Sequence, residues 1–188
     1  MARVRDVEID EVPDDAKPVY ARFVSEYGPY QNQLKVFAHR PIALRHVMGM
    51  LLEMSDNPIL DKRYLEIAIV TVSEINKCEY CVAHHGPKLM EYGLSRETVD
   101  KILEPDCPGL DNVDRLVRDY AAQVTHDHNR VRDTLFNRLR DHFNEEQIVE
   151  LTLRITLCTF FNKFNDVMQL GMEDAASGFA LGGTEAAE

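Results

Sequence analysis

Residues 66–85 read EIAIVTVSEINKCEYCVAHH. They hold Cys78 and Cys81 in a C-x-x-C spacing, with His85 four residues after the second cysteine, Glu66 twelve before the first, and Tyr80 directly before Cys81. Two thiols, a titratable base and a carboxylate suit thiol redox chemistry: a thiolate attacks, a second thiol closes to a disulfide, and an imidazole moves the proton. On a helix, Cys78, Cys81 and His85 share one stripe. Cys81 and His85 form an i, i+4 pair, with Cβ atoms about 5–6 Å apart. That separation lets the imidazole take the thiol proton directly or through one water. The base favours a Cys81 thiolate, whereas a helix N-terminus favours Cys78. The spacing does not choose between them. A disulfide needs Cβ atoms about 3.5–4.5 Å apart, closer than regular i, i+3 geometry gives, so closure is expected to distort the first turn and leave a labile bond.

Glu66 has two readings. Buried among Tyr64, Leu65, Ile67, Ala68 and Ile69, it would have a raised pKa and orient His85. Alternatively it shares a solvated stripe with Arg63, Ser73 and Glu74, and Glu74 is expected to be exposed. His84 lies on another face and is the weaker base. The rival to redox chemistry is a zinc site completing Cys78 and Cys81 with His126 and His128, but that long separation fits no compact zinc module. Cys107 reads as a loop cysteine, and Cys158 as a core residue packing like a small hydrophobe. His39, His46 and His142 carry no partner pattern.

The elements that must position these residues are helical throughout. The chain shows no alternating strand pattern and no hairpin turn signal, so the expected class is all-α. Residues 1–13 read as an extended N-terminal arm, 14–172 as one helical domain and 173–188 as a disordered tail. Helices are expected over about 15–27, with Gly28 and Pro29 as the stop, and as a short turn over 33–38. Pro41 reads as the first residue of the next helix, which ends near 56–58. Further helices are expected over 61–75, 78–91, 95–103, 111–125, 130–142 and 145–170. Asn76 reads as the break and N-cap before the motif helix. Ser95 caps the following one, and Asn144 with Gln147 makes a capping-box start for the last. That last helix carries Leu151, Leu153, Ile155, Leu157, Phe160 and Phe161, more apolar residues than one buried stripe needs. It is therefore either fully internal or shared between a core and a subunit contact.

The 188 residues suit a single domain, and 45% apolar with 28% charged side chains is an ordinary globular composition. A domain of this size buries roughly 70% of its unfolded surface and needs no disulfide staples. The formal net charge of −11 argues against nucleic acid or an anionic membrane surface as partner. The charged N-terminus lacks a secretory h-region, and no run approaches the ~18 apolar residues of a membrane span. A cytoplasmic setting, with reduced cysteines, is the expectation.

The pattern Glu66-x11-Cys78-x2-Cys81-x3-His85 resembles the signature of the alkylhydroperoxidase D-like (AhpD-like) branch of the carboxymuconolactone decarboxylase superfamily. The resemblance runs from about Phe37 to Leu170 and includes the asparagine-bearing run Phe161-Asn162-Lys163-Phe164-Asn165. It implies an all-α AhpD-like helical bundle and a homo-oligomer, most often a trimer or hexamer, with a dimer as the smaller alternative. It also implies thiol-dependent reduction of organic hydroperoxides. By similarity Cys81 is the peroxidatic thiol, Cys78 the resolving thiol, and His85 the base assisted by Glu66. Well-known members carry histidine where this chain has Tyr80, and other peroxidase-like members carry tyrosine. A phenol with an ordinary pKa near ~10 is a poor base but can hydrogen-bond a thiolate. The expected partners are a small-molecule hydroperoxide and an external dithiol reductant, a thioredoxin-like or lipoyl protein. No metal or organic cofactor is expected. The rival functions are a lactone decarboxylase-like lyase working by acid–base chemistry alone, and a non-catalytic redox sensor.

Overall fold

The computed structural model describes residues 2–28 and 31–176. The single domain expected from length is built of two compact units. One takes the described residues up to Pro58 together with those from Asn165 onward, and the other is Ile59–Phe164. Among the described residues there is no strand, and no helix is long and apolar enough to cross a membrane.

The first unit contains α1 (Lys17–Glu26), α2 (Gln31–Phe37), α3 (Pro41–Ala43) and α4 (Gly49–Asp56). Pro41 opens α3 at its first position, where a missing N–H costs nothing. Between α3 and α4 the chain winds as a π-helix over Leu44–Met48, which the sequence reading did not separate from the surrounding helix. Tyr20, Phe23, Leu34, Leu44, Met48 and Leu52 form the buried centre. The arm expected to be extended contains a 3-10 turn at Ile9–Glu11, and the Val7 carbonyl accepts a hydrogen bond from the Tyr20 hydroxyl. The residues just after 172, assigned to the tail, carry structure too. Asp174–Ala176 is a 3-10 turn, and the Glu173 carboxylate accepts the Asn32 N–H. The rest of the expected tail, like Pro29, lies outside the described residues.

The second unit is built around α5 (Lys62–Asn76), which packs against α6 (Glu79–Glu91) and α8 (Asn112–Asp127). Its remaining elements are α7 (Arg96–Asp100), α9 (Asp133–Arg140) and most of α10 (Glu145–Met168). The run Ile67-Ala68-Ile69-Val70-Thr71-Val72-Ser73 is buried without a break. Those β-branched residues have mediocre helix propensity, and burial on every face overrides it. Capping follows the sequence in two places. Ser95 and Thr98 form a reciprocal box at α7, and Asn144 and Gln147 exchange bonds of 3.0 and 2.9 Å at α10.

One ion pair fixes α8 against α5, and its guanidinium also reaches the end of α6. Asp114, fully buried in the first turn of α8, takes Arg63 Nε at 3.0 Å and Nη2 at 2.5 Å, while Arg63 Nη1 donates to the Tyr92 carbonyl at the end of α6. A forked guanidinium on a carboxylate with a third bond to main chain holds three helix ends at one point. Gly93 then turns the chain with a φ of +86°, a conformation that favours glycine.

Candidate active site

The motif is built at the junction of α5 and α6. Asn76 is the last residue of α5, and Lys77 follows in the left-handed conformation at φ 56°. Cys78 is extended, at φ −84° and ψ 92°, and is itself the N-cap of α6. This corrects two expectations: Asn76 is not the cap, and Cys78 is not on a helical stripe with Cys81 and His85. Cys78 and Cys81 instead stand as N-cap and N3, the relation in which a cap side chain reaches back over the first turn. Bringing the sulfurs together therefore need not break a helical turn, which removes the distortion expected of a pair inside a helix. The N–H groups of this turn lack intrahelical acceptors, so both sulfurs stand at the end of α6 that carries partial positive charge. All four cysteines of the chain are buried thiols.

Glu66, on α5, and His85, two turns into α6, meet at 2.6 Å between Oε2 and Nδ1. Their side chains are 12% and 20% exposed, so of the two readings of Glu66 the buried one describes its surroundings. The expected rise in its pKa is not what results. Burial does push the carboxyl up, but the His85 imidazole, its hydrogen bond, and the Lys88 and Arg154 cations outweigh it and hold Glu66 below its ordinary value. Burial lowers His85 too, against the opposing pull of Glu66. An ionised Glu66 can only accept, so Nδ1 carries the proton and Nε2 of the neutral ring keeps its lone pair. Lys88, half-buried one turn beyond His85, is also lowered by burial.

Tyr80 is buried with its ring 4.3 Å from that of His84, tilted 38°. The His84 Nδ1 lies 2.6 Å from the Tyr80 carbonyl, which only accepts, so that nitrogen donates. Glu74, expected to be exposed, is half-buried, and burial with Asp100 nearby pushes its carboxyl up to about 7.

Beneath the junction lies a polar network that sequence reasoning missed. The fully buried Ser73 accepts the Cys78 N–H on its carbonyl at 3.0 Å, and its hydroxyl sits 3.4 Å from the Cys158 sulfur of α10. Asn162 donates to the Ser73 hydroxyl at 3.3 Å and accepts from Asn76 at 2.9 Å. Cys158 is a core residue as expected. Burial pushes its thiol up to about 12, with added repulsion from Cys78 and Glu66, so it stays protonated. The available signal was Asn162 itself, an amide on an apolar helix that needs an internal partner. His126 and His128 do not join the cysteines. Among the described residues, no group of three or more His, Cys, Asp or Glu side chains is arranged to hold a metal ion.

Residues 42–111 match the sequence model of the carboxymuconolactone decarboxylase family. The chain is 41% identical over 56 residues to the alkyl hydroperoxide reductase AhpD of Mycobacteroides abscessus, a match covering 30% of this chain and 32% of that protein. The chain thus spans about a third of the length of the AhpD proteins it matches. It superposes with a TM-score of 0.81 on an alkylhydroperoxidase AhpD core, an uncharacterized peroxidase-related protein from Ralstonia eutropha, at 23% identity over 96% of both chains. It also superposes on the debrominase Bmp8, with a TM-score of 0.74 at 19% identity, over 94% of this chain and 95% of that one. Both likenesses are of fold.

Proposed function

We propose that this member of the carboxymuconolactone decarboxylase superfamily, of its AhpD-like branch, is a thiol-dependent peroxidase that reduces organic hydroperoxides. The observation that carries the reading is the 2.6 Å Glu66–His85 contact on the helix that bears Cys81 one turn earlier and is capped by Cys78. His85 Nε2 takes the Cys81 proton. The thiolate attacks the terminal oxygen of the hydroperoxide, the O–O bond breaks, and the alkoxide leaves with the proton returned from His85 as an alcohol. Cys81 is then a sulfenic acid. The Cys78 sulfur attacks it, water leaves, and the Cys78–Cys81 disulfide forms. An external dithiol, on a thioredoxin-like or lipoyl protein of the cytoplasm, restores both thiols by exchange. Cys81 as the attacking sulfur rests on its i, i+4 relation to His85 and on the family resemblance. Tyr80 and His84 pack against each other beside it. No step uses a metal or organic cofactor. The assembly is a homo-oligomer.

Hydroperoxide consumption with a dithiol donor tests this. Cys81→Ser should abolish turnover, and Cys78→Ser should allow one oxidation per chain and then stop. Undiminished turnover in both variants rules the reading out. A second reading is a lyase acting through Glu66, His85 and the half-buried Lys88 alone, which the closeness of those three groups favours. Lactone turnover that survives complete thiol alkylation would select it.

A further inference from the structure

The second unit contains a pocket of about 680 Å³ that the thiol chemistry does not use. Its wall on α5 is Ile75. At 100° per residue, Glu66 and Ser73 share one face of α5, and Ile75, nine residues after Glu66, lies on the opposite face. The pocket is therefore separated from Glu66 and the Ser73 network by the thickness of a helix.

Its charge contrasts with that of the chain. In a protein of net charge −11, Arg115, Arg118, Arg138, His126 and His142 line this pocket, and Asp119 is the one carboxylate among its lining residues. Two of the guanidiniums are fixed from behind. Arg115 donates Nε to the Leu110 carbonyl at 3.2 Å, Nη1 to Pro105 at 3.3 Å and Nη2 to Cys107 at 3.4 Å. Those acceptors are main-chain carbonyls, so no carboxylate neutralises it. Arg118 is 8% exposed; its Nη1 donates to the carbonyls of Ile102 and Glu104 at 3.1 and 2.8 Å, and Nε to Asp119 at 2.6 Å. Arg138 on α9 is exposed, and its guanidinium has no hydrogen-bond or ion-pair partner among the described residues. A half-buried Arg115 held by neutral carbonyls, a buried Arg118 shared between carbonyls and Asp119, and an exposed Arg138 give three cations against one carboxylate, an excess that suits negative charge. Ile75, Leu103 and Leu116 add an apolar wall.

We infer that this pocket binds a small organic anion, a carboxylate or phosphate carried on an apolar body. The oxyanion sits between Arg138 and the fixed pair Arg115 and Arg118, with the body against Ile75, Leu103 and Leu116. The volume falls in the ordinary range for small-ligand sites, roughly 300–1,000 Å³. Because the Arg115 and Arg118 guanidiniums are already held, Arg138 is the one guanidinium of the three that must be ordered on binding. The inference is independent of the peroxidase reading and survives its failure.

Calorimetric titration of the whole protein at fixed ionic strength with phenyl phosphate, with benzoate, and with neutral benzyl alcohol tests it. At least one anion should bind saturably and more tightly than the alcohol, and the stronger of the two identifies the preferred head group. Arg138→Ala should weaken that binding about tenfold, and Arg138→Lys should restore part of it. Arg138 is exposed and partnerless, so the circular dichroism of both variants should match wild type. Neither anion binding better than the alcohol, or Arg138→Ala binding as well as wild type, overturns the inference.

Discussion

Glu66 and His85 are both held below their ordinary pKa values, and the consequences for pH run in one direction. Burial dominates at His85, so the imidazole stays neutral to a pH below the ordinary ~6.5 and is available as a base there. The acid limb of kcat/KM for peroxide reduction is therefore expected below pH ~6.5. In Glu66→Gln the ring loses the one neighbour that raises its pKa, so the limb should move lower still. The base should also weaken, and kcat/KM should fall about 10²-fold. A limb at or above the ordinary imidazole value, or an unimpaired Glu66→Gln enzyme, would contradict this. Stability has the same sign. A group depressed in the fold stabilises above its unfolded pKa, and this contribution is lost as pH falls through the folded value, first for His85 and then for Glu66. At this scale the motif was legible, because its residue types and spacings are local. The sign of the Glu66 shift was not, because it is a balance between burial and the His85 contact, with Lys88 and Arg154 adding to the latter, and that balance is set by packing.

The α5–α6 junction shows what the helix boundaries conceal. Six consecutive residues over 67–72 without polar alternation, starting after Asp61, were enough to predict a helix at α5. The exact break was not, since it is made by Lys77 adopting a left-handed conformation that no lysine signals. Nor could the sequence pair Ser73 with Asn162, which lie 89 positions apart. The π-helix at Leu44–Met48 likewise has no residue signature. The amide of Asn162 is fully buried and joins Asn76 at the end of α5 to Ser73, whose carbonyl holds the Cys78 N–H. Replacing it by leucine takes one partner from the buried Ser73 hydroxyl and one from the part-buried Asn76 amide, so Asn162→Leu should cost about 1–3 kcal/mol in denaturant unfolding. It should also slow disulfide closure after peroxide oxidation more than it slows the first attack by Cys81, because Cys78 is the residue whose backbone the network anchors. Equal slowing of both steps would mean that Asn162 supports the fold and nothing more specific.

Across the whole molecule, α10 carries two distinct apolar stripes. Ile148, Leu151, Ile155, Cys158 and Asn162 follow a spacing of three and four and are buried. Val149, Phe160 and Val167 lie within about 20° of a common line on another face, and they are 65%, 45% and 57% exposed. The proposed homo-oligomer predicts that this second stripe is covered by another copy of the chain. The double variant Val149→Glu with Phe160→Glu should convert an oligomer to a monomer by light scattering, while helix content is retained. The charge of −11 on each chain opposes association, and screening it should favour assembly. The wild-type assembly should therefore strengthen between low and moderate salt, where an interface held mainly by ion pairs would weaken. A wild-type monomer, or an oligomer whose mass the double variant leaves unchanged, would leave the exposed stripe of α10 without this role.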